Sequence, residues 1–283
     1  MGKELQEDYN VIKSFNNNIV LVENKGKEMI LFGKGIGFNK KNGQTITKNT
    51  IVDKIFSIQQ EENVQNFNKV IEGNDKEFLA LCEELICYIA FELKEELNER
   101  IHINLIDHLS FTMKRLKNNE SIDNPFLFEI ESLYPKEFKL AEEIIKKIEK
   151  KYNLNIPYGE IGFIAVHIHS ARNNGKVANS IKYSYIVNTA VEIIEDYFNI
   201  EINRKSLDYA RFATHLKFAV KRMKDNKIIK NDLLDIIIEK YSQSYYVAVE
   251  IAAMIVEELE LDVASDEIGY IAIHIERLRA SSN

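Results

Sequence analysis

Gly159-Glu160-Ile161-Gly162-Phe163-Ile164-Ala165-Val166-His167-Ile168-His169-Ser170-Ala171-Arg172 returns 107 residues later as Asp266-Glu267-Ile268-Gly269-Tyr270-Ile271-Ala272-Ile273-His274-Ile275-Glu276-Arg277-Leu278-Arg279, identical at eight of fourteen positions. A second pair of segments keeps the same offset. Asp107-His108-Leu109-Ser110-Phe111-Thr112-Met113-Lys114-Arg115 returns as Thr214-His215-Leu216-Lys217-Phe218-Ala219-Val220-Lys221-Arg222, identical at five of nine positions. The 59-residue spacing from His to His is therefore the same in both copies. One offset shared by two segments, with no net insertion, means a duplicated unit.

Around the repeat the chain keeps a helical period. Phe78, Leu81, Cys82, Leu85, Ile89 and Leu93 recur at i, i+3, i+4 spacing, as do Ile144, Ile145, Ile148 and Tyr152. The three prolines, Pro125, Pro135 and Pro157, fall between the helical runs, where a missing N–H costs least. The region before residue 70 reads differently. It holds no proline, and six of the eleven glycines lie in the first 43 residues. Asn18-Ile19-Val20-Leu21-Val22-Glu23 and Glu28-Met29-Ile30-Leu31-Phe32 flank Asn24-Lys25-Gly26-Lys27, a turn whose Gly supplies φ > 0. Thr45-Ile46 and residues 52–58 add strand signals, the latter alternating so that one face is buried and one wet. The fold class is therefore multidomain: a small all-β antiparallel sheet domain followed by two duplicated all-α helical bundles. The sheet domain spans residues 1–62, with 1–9 as a tail. A linker covers 63–71, and the bundles cover 72–178 and 179–283. A sheet of about fifty residues buries too little surface to be secure alone, which predicts a homodimer.

Composition narrows the function classes. The 283 residues are 45% hydrophobic and 29% charged, which excludes wholesale disorder. No apolar run approaches the ~18 residues of a membrane span, so no membrane insertion is expected. The polar start Met1-Gly2-Lys3-Glu4-Leu5-Gln6 lacks the apolar core of a secretory signal, and Gln6 stands where a myristoylation motif wants Ser or Thr. Cys82 and Cys87, the two cysteines, form neither a disulfide framework nor a metal-site spacing. These features predict a cytoplasmic chain. The net charge is −7, yet residues 9–58 carry eight Lys against Glu23, Glu28 and Asp53, a net of +5. A basic sheet on an acidic body points to an anionic partner for the sheet. Lysines that merely solvate a small β domain would read the same way.

Four of the six histidines, His108, His167, His215 and His274, are the repeated ones. Metal binding fails on partners, because His167 and His169 point to different sides of a helix and Glu276 replaces the second in the other copy. Phosphoryl acceptance suits them better. Neutral imidazole is a nucleophile at cytosolic pH, and phosphoryl transfer needs positioning and positive charge more than strong activation. Arg115 and Arg222, seven residues after a repeated His, are candidate phosphate neighbours or parts of a solvated helix face. Glu160 and Glu267 could orient an imidazole N–H, but a helix N-terminal role is favoured. In the sheet, Gly33-Lys34-Gly35-Ile36-Gly37-Phe38 lacks both a following helix and the ending of a P-loop. Its glycines allow close backbone approach. With Lys13 and Asn16-Asn17-Asn18 it offers amides for base edges, lysines for phosphate and an aromatic for stacking. The lack of a helix in this segment favours RNA over DNA.

With these motifs quoted, the chain resembles the BglG/SacY family of transcriptional antiterminators over nearly its whole length. Asn16-Asn17-Asn18 and Gly33 to Lys41 match the co-antiterminator RNA-binding domain. The two D/T-H-x-x-F and E-I-G-[FY]-I-A-[VI]-H sets match two PTS regulation domains. The resemblance implies a non-enzymatic homodimer without a cofactor that binds an mRNA antiterminator hairpin and prevents terminator formation. RNA contacts would fall on Lys13, Asn16, Asn18, Gly33, Lys34, Gly35 and Phe38, with Lys34 standing where many relatives have Arg. The phospho-acceptors would be His108, His167, His215 and His274, with HPr and a PTS enzyme II as donors. Enzyme II would inhibit through the first copy, and HPr would activate through the second. Arg100-Ile101-His102-Ile103, Asn124-Pro125-Phe126-Leu127 and Ser132-Leu133-Tyr134-Pro135 are similar to the glucose branch. Two other readings compete: a phosphohistidine relay enzyme, and a sheet that binds protein instead of RNA.

Overall fold

The computed structural model describes residues 2–58, 60–120, 122–173, 177–227 and 229–281. The chain forms two compact units. The first holds residues 1–123 and 139–177, and the second holds 124–138 and 178–283.

Strands β1 (Lys3–Glu4), β2 (Tyr9–Ser14), β3 (Ile19–Asn24), β4 (Lys27–Phe32), β5 (Thr45–Ile46), β6 (Ile51–Val52) and β7 (Lys54–Ile58) open the first unit. Five of them make an antiparallel sheet in the order β5-β2-β3-β4-β7, and β1 pairs with β6. The β3–β4 hairpin closes on Lys25 and Gly26, both at positive φ (52° and 77°), which matches the right-handed twist of the strands. Glu23 Oε1 accepts from the Gly26 N–H at 2.7 Å and holds the turn. One sheet face packs Val11, Val20, Val22, Leu31 and Ile46 into a core that also takes Leu5 and Val52.

Two expectations change here. Residues 3–5 are not a tail. Leu5 is buried, its N–H donates to Thr50 O, and its carbonyl accepts from Asn49 N. The second sheet face is not wet either. Ile19, Leu21, Ile30, Phe56 and Ile58 are buried on it, because the helices that follow lie against that face. The Phe56 ring sits edge-on to His102 with centroids 4.7 Å apart, and Phe32 meets Phe91 at 6.5 Å. A sheet too small to stand alone is thus completed within its own chain.

Eleven helices are seen among the described residues: α1 (Glu61–Glu72), α2 (Lys76–Leu93), α3 (Ile101–Lys117), α4 (Leu127–Leu133), α5 (Pro135–Tyr152), α6 (Gly159–Arg172), α7 (Val177–Phe198), α8 (Leu207–Lys224), α9 (Leu234–Lys240), α10 (Ser242–Leu259) and α11 (Ser265–Ser281). The stretch read as a linker, 63–71, lies inside α1, which packs on α3 and buries Phe67. The 107-residue offset reappears in the helices: α3 matches α8, α4 matches α9, α5 matches α10 and α6 matches α11. Caps set the boundaries. Asp75 accepts from Phe78 N at the start of α2, Ser206 accepts from Tyr209 N at the start of α8, and Pro135 is the first residue of α5. Gly269 lets α11 approach α9, since a Cβ there would lie 2.7 Å from Asn231 Nδ2 and 2.8 Å from a Leu234 methyl.

The first copy does not keep all its helices. Residues 124–138, which carry α4, belong to the second unit. There Tyr209 of α8 donates its hydroxyl to Glu129 Oε1 at 2.5 Å, and Arg204 binds Glu195 beside them. Burial raises the Glu129 pKa, although the Tyr209 hydrogen bond works against it.

Candidate functional site

The repeated histidines meet in pairs. Helices α3 and α6 bring His108 and His167 together with ring centroids 4.9 Å apart. Helices α8 and α11 bring His215 and His274 to 3.9 Å, with the rings nearly parallel at 21°. Each imidazole comes from one motif of the repeat, so the conserved 59-residue spacing serves a single contact.

The surroundings of the pairs differ. In the first copy Glu160 is buried and faces three partners. Its Oε2 lies 3.1 Å from His108 Nε2 and accepts from Thr112 Oγ1 at 3.0 Å, while its Oε1 accepts from Arg115 Nη2 at 2.7 Å. Burial by itself pushes the Glu160 carboxyl up, but the contacts with His108, Thr112 and Arg115 outweigh it and hold the pKa below the ordinary value. Glu160 therefore faces His108 across to α3, and the N-terminus of α6 carries no side-chain cap. Arg115 is not on a solvated face. It is buried, paired with Glu160, and stacked over the outward-facing Phe111 ring at 5.0 Å. His167 is pushed down to about 3, first by burial and then by the neighbouring His108, and stays neutral at cellular pH.

In the second copy Arg222 takes both oxygens of Glu267, at 2.7 Å and 2.6 Å. Ala219 stands at the place of Thr112, so the hydroxyl bridge is missing. His215 is exposed, and His274 is pushed down to about 4 by burial, then by His215 and Arg277. A cavity of about 320 Å³ opens beside the stacked rings, lined in part by Phe212, Arg222, Ile229 and Tyr270. Arg222 is thus a wall of the second site, whereas Arg115 is locked inside the first.

The sheet residues also converge. The Gly33 N–H donates to Asn18 O, the Gly35 N–H to Asn18 Oδ1 at 3.0 Å, and the Gly37 N–H to Asn17 O. The two loops are thereby zipped together. Gly37, which the sequence reading left out of the site, is required for this fit: a Cβ there would lie 2.1 Å from Asn16 O. Lys34, Gly35 and Phe38 project from the zipped loops into solvent, and Phe38 is 62% exposed. Asn16 and Lys13 face elsewhere. Asn16 Nδ2 donates to Glu84 of α2 at 2.7 Å, and Lys13 is partly desolvated near Lys76 and Glu72, with burial lowering its pKa. Nothing in the sequence signals the Glu84 contact.

His102 belongs to neither pair. It is fully buried, with Nδ1 2.8 Å from Glu83 Oε2. Among the described residues no group of three His, Cys, Asp or Glu could hold a metal ion, and no helix is long and apolar enough to cross a membrane.

Comparison with known proteins fits this arrangement. Residues 9–65 match the CAT RNA binding domain, and residues 83–171 and 188–278 match the PRD domain. The chain belongs to the BglG/SacY family of antiterminators. It is 34% identical to the transcription antiterminator LicT of Bacillus subtilis (strain 168), over 95% of this chain and 98% of that protein. It is 30% identical to protein GlcT of Staphylococcus haemolyticus (strain JCSC1435), over 95% of each chain. The crystal structure of GlcT CAT-PRDI superimposes with a TM-score of 0.51 at 40% identity, covering 59% of this chain and 99% of that one. LicT is a transcription antiterminator, and the CAT domain that this chain shares is an RNA-binding domain.

Proposed function

We propose that the chain is a PTS-controlled antiterminator that acts as a homodimer in the cytoplasm. It holds an antiterminator hairpin of nascent mRNA and so keeps the overlapping terminator from forming. Lys34 neutralises phosphate and Phe38 stacks on an unpaired base, over a backbone shaped by Gly33, Gly35 and the Asn18 bridge. Asn18 offers its amide N–H to a base edge, and Lys13 and Asn16 join once they turn from α1 and α2 toward the RNA. His108, His167, His215 and His274 accept phosphoryl groups, from an enzyme II on the first copy and from HPr on the second. The operon served is of the glucose type, a reading supported by the likeness to GlcT.

The observation that carries this reading is the pairing of the four repeated imidazoles, two in each copy, at 4.9 Å and 3.9 Å. A structural histidine needs one polar partner. Two imidazoles packed ring against ring, tilted in the first copy and stacked in the second, make a poor structural device, and their exposed edges suit a phosphoryl acceptor. Phosphorylation adds roughly −2 charges to such a pair. The packing cannot absorb them unchanged, so the bundle re-pairs and carries the sheet with it.

The RNA arm is tested with full-length protein carrying Lys34→Ala or Phe38→Ala. Loss of Phe38 stacking should cost about 1–3 kcal/mol of hairpin affinity. Loss of Lys34 should also reduce the steepness with which binding weakens as salt rises. Unchanged gel shifts for both variants would refute RNA binding through these loops.

A further inference from the structure

The two rings of the first pair do not present equivalent nitrogens. His108 Nε2 is buried and lies 3.1 Å from Glu160 Oε2, off the line of a ring N–H hydrogen bond. His167 Nδ1 is also buried and has no hydrogen-bond partner. A phosphoryl donor has to bring phosphorus in line with a nitrogen lone pair, and a nitrogen without solvent contact cannot be approached in that way. An ionised carboxylate beside Nε2 also favours the tautomer that carries its proton there, which leaves the lone pair on Nδ1.

We propose that His108 accepts its phosphoryl group at Nδ1, and that Glu160 is the positioning residue that dictates this by retaining the proton on Nε2. The proposal rests on the phospho-acceptor reading of His108 and adds the atom and the residue that selects it. In the step itself the Nδ1 lone pair attacks phosphorus while the bond from phosphorus to the donor breaks. The donor is a phosphohistidine or phosphocysteine protein, and its leaving nitrogen or sulfur takes the electron pair. The Nε2 proton stays in place. The product ring is bonded to phosphorus at Nδ1 and to hydrogen at Nε2, so it is cationic, with the phosphoryl on one side and the Glu160 carboxylate on the other.

The lock has defined parts. Arg115 Nη2 at 2.7 Å and Thr112 Oγ1 at 3.0 Å hold the Glu160 carboxylate in place. In the second copy Arg222 occupies both oxygens of Glu267 and Ala219 replaces Thr112. His215 therefore has no such carboxylate and serves as an internal control.

The test uses full-length protein labelled with ¹⁵N-histidine, with long-range ¹H–¹⁵N correlation of the rings. Before modification, His108 should be almost entirely the Nε2–H tautomer, and His215 should show a mixture. Glu160→Gln should convert His108 to a mixture as well, a change that a merely structural Glu160 would not produce. The protein is then treated with phosphoramidate, whose P–N bond breaks with loss of ammonia, and the substituted nitrogen is read directly. Phosphorus on His108 Nδ1 supports the proposal. Phosphorus on His108 Nε2, or an Nδ1–H tautomer in the unmodified protein, overturns it while leaving the acceptor reading intact. Modification of His215 or His274 with none on His108 overturns the proposal and the acceptor reading of His108 together. The tautomer measurement on the unsubstituted protein needs no variant, so a Glu160→Gln chain that failed to fold would leave the test decisive.

Discussion

The two histidine pairs descend from one repeated motif, yet they are not alike. The first is closed: Glu160 ties His108 to Arg115 and Thr112 in a buried network, and the same bundle carries the sheet through Phe56 against His102 and Asn16 against Glu84. The second is open: Glu267 spends itself on Arg222, and the stacked rings border a cavity. Among the differences that accompany the change are Thr112 against Ala219 and Phe163 against Tyr270. Duplication preserved the contact between imidazoles and freed their surroundings to diverge.

The largest expected effect concerns the two arginines. Arg115→Ala removes the one permanent cation facing Glu160 in a nearly dry site, leaving it Thr112 and His108 alone, and should cost about 3–5 kcal/mol of stability. The Arg222 side chain is 26% exposed, so Arg222→Ala should cost about 1–2 kcal/mol, because water re-solvates Glu267 in part. Denaturant unfolding of both variants checks the contrast. Equal losses would mean that the two networks are equivalent.

Acid should act next. The folded His167 pKa of about 3 lies below the ordinary 6.5, so below pH 6.5 the unfolded chain binds a proton that the folded chain refuses. Stability from this group is full above pH 6.5 and is lost as pH falls toward 3, at ~1.4 kcal/mol per pH unit. Glu160, held low, works in the same direction: its contribution is present above its ordinary pKa and lost as pH falls through the lowered one. His167→Gln should therefore recover about 2 kcal/mol of the loss between pH 7.5 and pH 5. His274, pushed down to about 4, should behave alike over this range, because both folded values lie below pH 5; the two histidines separate only below about pH 4.

Much of the fold was legible. The hairpin at Lys25-Gly26 followed from Gly between two apolar runs, and the duplication followed from one shared offset. Strand β1 was not legible, because two residues pair with Ile51–Val52 across most of the domain and no local periodicity announces that. The role of Glu160 was ambiguous for a physical reason. A carboxylate in the first turn of a helix can serve that helix or cross to another, and the choice depends on Thr112 and Arg115 from α3. Lys34 and Phe38 lie exposed in the loop after β4, whereas Ile36 of the same loop is buried, a split that composition alone does not announce. The placement of residues 124–138 in the second unit was hidden, because Glu129 and Tyr209 are 80 residues apart and each looks ordinary in its own helix.

The smallest predicted effect lies where the closed copy touches the loops proposed to bind RNA. On that proposal Asn16 leaves Glu84 before its amide meets a base. Glu84→Ala should therefore tighten hairpin binding by about 0.5–1.5 kcal/mol, as measured by filter binding.

The most direct measurement compares hairpin binding by full-length protein with that of His108→Asp/His167→Asp, which places fixed negative charge in the closed pair. The account predicts affinity weakened by about tenfold or more, ~1.4 kcal/mol. Binding as tight as that of the unsubstituted chain would contradict it.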